Sequence, residues 1–218
     1  AEANGWFLAR QFETEANARI HENTTAREIL ADFEGRGLDY YVTGYGTGGT
    51  VSGVGRVLRA KWPKTKIILS EPANAQLVGS GRAQGRNADG SPSESHPAFE
   101  PHPIQGWTPD FIPLVLQEAI DKGYYDELIP VPGPVGIEWS RKLAQREGIF
   151  TGISGGSTFA VSMQIAEKAK PGAVILCMLP DTGERYLSSP LFETIEENMT
   201  EDEIALSLST PGFHMPAA

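Results

Sequence analysis

The stretch that most constrains this chain is Gly44-Tyr45-Gly46-Thr47-Gly48-Gly49-Thr50, set between a strand-like segment at 39–43 and a helical pattern over 51–61. A strand that feeds a helix through a glycine-rich turn calls for a layered α/β arrangement. Glycines allow positive φ and let the backbone come close to a ligand. The helix start adds unpaired N–H groups and the positive end of its dipole. Together these make an anion site, most naturally for phosphate, with the Thr47 and Thr50 hydroxyls as further donors.

The same alternation runs along the rest of the chain. Residues 24–34 read as an amphipathic helix opened by Thr24 and Thr25. Strands are expected at 66–70, 128–131 and 173–179. Helices are expected at 111–122, at 134–147 behind a proline near its first position, and at 156–169. Residues 79–110 break the rhythm, being rich in Gly, Ser, Pro and Asn. A loop of that length in a compact domain is a functional flap or an insertion. The stretch 199–218 starts as an acidic helix and ends in a loose Pro/Gly tail. The expected fold is α/β, with a mainly parallel sheet flanked by helices, and no repeat or linker divides it.

Composition excludes some functions. Of 218 residues, 40% are hydrophobic and 21% charged, which is enough for a packed core. A net charge of −10 argues against general nucleic-acid binding, which needs a basic surface. No apolar stretch approaches membrane-spanning length. The single cysteine, Cys177, lies in a strand-like apolar run and reads as core packing. The first residues, Ala-Glu-Ala-Asn-Gly-Trp, have neither the basic start nor the apolar core of a signal peptide. With no initiator Met, a cleaved, truncated or split chain is expected.

The motifs leave alternatives open. Gly44, Gly46 and Gly49 fit G-x-G-x-x-G, and Glu71 ends the next strand where a ribose-binding carboxylate would stand. A nicotinamide-dependent oxidoreductase is one reading; the hydroxyl-rich turn suits a compact phosphate monoester equally well. A second segment, Gly152-Ile153-Ser154-Gly155-Gly156, matches G-x-S-x-G, with Asp181 and His214 following in nucleophile-elbow order. A triad is not favoured, because His214 sits in a Pro/Gly tail with nothing to position it. Ser154 is then a helix cap or a hydroxyl partner for a ring nitrogen. His21, His96 and His102 are expected on the surface or in loops.

Taken in order, the segments form a family pattern: Gln11-Phe12-Glu13-Thr14-Glu15-Ala16-Asn17 with Ile20-His21; Gly46-Thr47-Gly48-Gly49-Thr50; Pro103-Ile104-Gln105-Gly106 with Phe111-Ile112-Pro113; Glu147-Gly148-Ile149; Gly152-Ile153-Ser154-Gly155-Gly156; and Asp181-Thr182-Gly183-Glu184-Arg185-Tyr186-Leu187-Ser188. The chain resembles the cysteine synthase (O-acetylserine sulfhydrylase) family and, more distantly, cystathionine β-synthase. The resemblance implies a fold-type II pyridoxal-phosphate enzyme. It implies that Gly46, Thr47, Gly48, Gly49 and Thr50 hold the cofactor phosphate and that Ser154 meets the pyridine nitrogen, a neutral partner that leaves this nitrogen largely unprotonated. Gln11 and Gly106 are implied at the amino-acid substrate. The implied reaction is a β-replacement giving cysteine and acetate from O-acetylserine and sulfide, in a cytoplasmic homodimer.

Three departures qualify this. The family's Schiff-base lysine belongs to a Ser/Thr-x-Lys motif in the N-terminal part, and none of the lysines at 61, 64, 66, 122, 142, 168 and 170 has that context. The expectation is a C-terminal portion that needs a complementary N-terminal segment or chain for activity; a non-catalytic binding partner is the alternative. Where the family has a Gly-Ile-Gly-Ala-Gly stretch, this chain has Gly106-Trp107-Thr108-Pro109-Asp110. Trp107 and Asp110 are expected to narrow or recharge the pocket mouth, the carboxylate disfavouring O-phosphoserine. The third departure is the C-terminal tail, in detail only.

Overall fold

The computed structural model describes residues 1–209. Its centre is a four-stranded, wholly parallel sheet in the order β3-β2-β1-β4, formed by β1 (Tyr40–Gly44), β2 (Lys66–Pro72), β3 (Glu127–Val131) and β4 (Ile175–Cys177). Strand alternation divides the core in two. Tyr41, Ile67 and Leu69 face a cluster with Val51, Val54, Leu58, Leu116 and Ala119. Val42, Ile68 and Val131 face a second cluster with Ile153, Ala160, Val161 and Trp107. Helices α1 (Glu15–Asn23), α2 (Thr25–Asp32), α3 (Gly49–Lys61) and α4 (Leu114–Asp121) lie toward the first cluster. Helices α5 (Gly133–Glu147) and α6 (Ile153–Ala166) lie toward the second. Helix α7 (Glu201–Ser209) has no buried residue, and the expected tail beyond it, with His214, lies outside the described residues.

Three elements differ from expectation. Helix α1 is additional: its buried residue is Ala18, so it carries no apolar stripe, and the smallness of Gly53 on α3 lets it dock. A Cβ at Gly53 would lie 2.2 Å from the Ala18 carbonyl oxygen. Thr24 does not cap α2 through its side chain; its hydroxyl donates to the Ile20 carbonyl at 2.7 Å. Helix α6 starts three residues before the expected 156 because Gly155 and Gly156 are helical. Glycine is costly in a helix, but here α5 packs directly on it: a Cβ at Gly156 would lie 2.2 Å from the Gly136 carbonyl.

The long segment after β2 has no regular element, yet it is tied down. Gln84 donates to the Gly85 and Glu94 carbonyls and accepts from the Ile112 N–H at 3.0 Å. Arg86 donates to the Ile112 and Gly90 carbonyls. His96 lies in the loop, as the surface-or-loop expectation allowed, but is buried there at 2% exposure: Nδ1 accepts from the Ala98 N–H, which leaves Nε2–H to donate to the Arg82 carbonyl at 3.1 Å.

Candidate functional site

A cavity of about 260 Å³ opens at the C-terminal end of β1, where ligands collect in open α/β sheets. Its floor is Thr43 and Gly44. One wall is the turn into α3, with Gly46, Thr47 and Thr50; the facing wall is Gln105, Gly106 and Trp107; Ser154, Thr158, Met178, Pro180 and Asp181 close it.

The glycine turn is shaped by close approach. A Cβ at Gly46 would stand 2.2 Å from the Gly106 carbonyl oxygen, and one at Gly49 1.9 Å from Asn17 Oδ1. Gly48, the residue before α3, has φ +85°, which a side chain rarely tolerates. Gly48 and Gly49 therefore form the turn and stand behind the lining, while Gly46, Thr47 and Thr50 face the cavity. Thr47 Oγ1 accepts from Asn17 Nδ2 at 2.8 Å and from the Gly49 N–H at 3.2 Å, leaving its own proton free to donate. Thr50 Oγ1 lies 3.3 Å from His21 Nε2, and His21 Nδ1 lies 3.0 Å from Thr25 Oγ1. Burial holds the imidazole below its usual range and favours its neutral form.

Opposite, Ser154 is buried at the second position of α6 and lines the cavity. The residue before α6 is Gly152, so Ser154 is not its cap. Tyr186 donates its O–H to Asp181 Oδ2, and the Ser154 hydroxyl neighbours the Tyr186 oxygen. Burial first, then the Asp181 carboxylate, pushes the Tyr186 phenol up to about 12. Asp181 is thus engaged by a tyrosine, which removes the support for a hydrolase triad. Cys177 sits in β4, and burial pushes its thiol up, away from nucleophile behaviour.

Gly106 reaches the cavity, whereas Gln11 does not: its side chain is exposed, and its carbonyl accepts from Asn17 Nδ2 at 2.7 Å. Trp107, 8% exposed, narrows the cavity as expected; a Cβ on Gly44 would fall 2.0 Å from indole Cε2. Asp110 does not recharge it. That side chain is exposed and accepts from Ser95 Oγ at 2.6 Å, outside the lining. The carboxylate that does line the cavity is Asp181. Gln105 belongs to the Pro103-Ile104-Gln105-Gly106 family segment, which assigns it no role; Thr43, Thr158, Met178 and Pro180 escaped the motifs, because no local pattern distinguishes them from core or turn residues.

Glu71 corrects the nicotinamide reading. It is 0% exposed, accepts from Tyr45 O–H at 2.7 Å and from the Val78 and Gly79 N–H groups at 3.1 and 2.8 Å, and does not face the cavity. It organises the chain after β2 and stands away from the cavity. The cavity donors suit a phosphorylated pyridine: hydroxyls and a helix start at one wall, a serine hydroxyl at another. The lining contains no lysine.

Comparison with known proteins agrees. Residues 1–181 match the family model described as pyridoxal-phosphate dependent enzyme. The chain is 45% identical over 210 residues to the O-ureido-L-serine synthase of Streptomyces lavendulae, covering 96% of this chain and 58% of that protein. It is 40% identical over 191 residues to the cysteine synthase of Staphylococcus aureus, covering 88% and 55%. A crystal structure of O-ureido-L-serine synthase superposes with a TM-score of 0.80 at 44% identity, over 94% of this chain and 58% of that one. O-acetylserine sulfhydrylase isoform 3 of Entamoeba histolytica gives 0.73 at 33%, over 90% and 52%. The chain thus spans little more than half the length of these relatives. On the family model and on these relatives, the chain belongs to the pyridoxal-phosphate-dependent enzyme family, with the fold-type II architecture.

Proposed function

We propose that this chain is the cofactor-holding portion of a β-replacement synthase that makes cysteine and acetate from O-acetylserine and sulfide. The observation that carries the proposal is the cavity itself, in which Thr47, Thr50 and the start of α3 face a common space with Ser154 and the Gly106–Trp107 wall. Thr47 and Thr50 hold the phosphate, helped by the helix N–H groups. Asn17 fixes the Thr47 hydroxyl, and His21 fixes that of Thr50. Ser154 meets the ring nitrogen. Gln105, Gly106 and Trp107 bound the space left for the amino acid and exclude water from it. When bound, the cofactor supplies the electron sink that lets the β-substituent leave.

The lysine that tethers the cofactor comes from polypeptide outside these residues, since none lines the cavity. That polypeptide is the complementary partner, and the assembled enzyme is a homodimer. A second reading rests on the 45% identity to O-ureido-L-serine synthase: the incoming nucleophile is then the oxygen of a hydroxyurea rather than sulfide. Only the incoming group differs.

The test is a titration of the purified chain with pyridoxal phosphate, read by tryptophan fluorescence. Thr47→Ala or Thr50→Ala deletes a donor to an ionised group, worth about 1.5–3 kcal/mol, so affinity is expected to fall roughly ten- to hundred-fold. Unchanged affinity in both variants would refute the phosphate assignment. Product analysis of the enzyme with its lysine-bearing partner, supplied with O-acetylserine and either sulfide or hydroxyurea, separates the two syntheses.

A further inference from the structure

The wall formed by Gly106, Trp107 and Thr108 is built to hold one large side chain still. Thr108 has φ +36°, a left-handed backbone that a β-branched residue rarely adopts. Such a conformation persists only where the surroundings fix it from several sides. Here the Thr108 N–H donates to the Tyr45 carbonyl at 2.8 Å, and His102 Nε2–H donates to the Thr108 carbonyl at 3.1 Å. The Trp107 N–H donates to the Ile104 carbonyl at 3.2 Å, and Gly106 before it has φ +83°. Thr108 is 1% exposed, and Trp107 packs in the core cluster with Val42, Ile68 and Ile153.

The side chain so held takes space from the cavity. The indole lies against Gly44 on the floor, where a Cβ would fall 2.0 Å from Cζ2 and 2.5 Å from Nε1. The cavity, about 260 Å³, is small, since pockets for drug-sized ligands run from about 300 to 1,000 Å³. A phosphorylated pyridine reaching from Thr47 and Thr50 to Ser154 takes most of it. What remains lies against Gln105, Gly106 and Trp107. Gln105 is exposed and Gly106 has no side chain, so Trp107 is the bulky, buried member of this wall. Its backbone is fixed on both sides, and its ring has the core behind it and Gly44 beside it.

We propose that Trp107 is a specificity-determining residue that limits the β-substituent of the amino acid, leaving or incoming, to a few atoms. This rests on the cofactor placement proposed above. The indole stands where a larger substituent would go, and the braced loop keeps it from swinging aside. An acetyl group or a sulfide fits within this limit, and an aromatic thiol does not.

The experiment uses phosphopyridoxyl amino acids, in which the cofactor is joined to the amino acid by a stable, reduced C–N bond. They need no lysine, so they can be bound to the chain as it stands, and calorimetric titration gives their affinities. The alanine adduct has no β-substituent, the S-methylcysteine adduct a small one and the S-benzylcysteine adduct a large one. The native chain is expected to bind the first two alike and the third about ten-fold or more weakly, the usual penalty for overfilling a packed space. Trp107→Ala is expected to bind all three alike. Trp107→Leu, which keeps an apolar side chain in the core, serves as the reading if Trp107→Ala does not fold. Loosened packing alone would weaken all three adducts together, so the ratio of affinities carries the result. Equal affinities in the native chain, or the same ratio in native and variant chains, would overturn the role of Trp107 while leaving the cofactor site intact. Failure of the native chain to bind the alanine adduct would overturn the cofactor site, and this inference with it.

Discussion

Tyr45→Phe removes one oxygen and little else, and the structure sets what that oxygen is worth. The phenol donates to Glu71 Oε2 at 2.7 Å inside the core, where Glu71 is 0% exposed and Tyr45 is 2% exposed. A hydrogen bond to an ionised group contributes about 1.5–3 kcal/mol. For a domain of this size each kcal/mol is about 2–4 °C, so Tm should fall by roughly 3–12 °C. The pH dependence has a definite sign. Burial raises the Glu71 carboxyl above its ordinary range, so stability falls as pH rises from its unfolded pKa to its folded one. The Tyr45 O–H is among the donors that oppose this rise. Its loss should raise the folded pKa further and steepen the fall. The penalty is therefore largest at neutral pH, and shrinks toward the ~0.5–1.5 kcal/mol of a neutral hydrogen bond once Glu71 is protonated. Thermal denaturation of both proteins at several pH values measures this. A Tm loss that grows toward acid, or none at neutral pH, would refute the claim that Glu71 is a buried ionised hub.

Gly46→Ala places a methyl 2.2 Å from the Gly106 carbonyl. Overpacking of this kind costs about 1–3 kcal/mol, and the two cavity walls must part. Lowered Tm together with weakened pyridoxal phosphate binding is expected, and unchanged binding would contradict the close contact. Arg56→Met strips a cation 18% exposed from Glu15 at 2.5 Å, Glu22 at 3.2 Å and Glu118, untying α1, α3 and α4. The expected loss is about 2–3 kcal/mol in urea unfolding at neutral pH. Arg56 holds the Glu15 and Glu118 carboxyls below the usual range, so this contribution is present above their unfolded pKa values and disappears as pH falls through the folded ones. A variant whose deficit persists unchanged into acid would argue against it.

Much of this molecule is legible in short windows. The strand, glycine turn and helix at 40–61 announce themselves because each rests on local physics: β-branched and aromatic residues at period two, glycine where φ is positive, and a helix behind it. The expectation of an anion site rests on the same window, since helix N–H groups are unpaired wherever a helix begins. Thr47 and Thr50 of that window both face the cavity.

What required the tertiary structure is whatever depends on a distant neighbour. The sequence places the helix at 153–166 only from 156, and its glycines serve close packing: Gly156 lies against Gly136 and Ser140 of α5, and Gly155 against Thr151. Glu71 reads as a ribose ligand, and only Tyr45 and the Val78–Gly79 turn reveal it as internal. Trp107 and Asp110 lie three residues apart, yet one enters the cavity and the other meets Ser95. Ser154 shares the cavity with Asp181, remote in sequence and adjacent in space, and Asp181 is engaged by Tyr186. Sequence by itself settled the turn, the layers and the family, because propensity and periodicity are properties of neighbouring residues. The contacts that set charge and shape in the cavity join separate elements, so only folding brings them together.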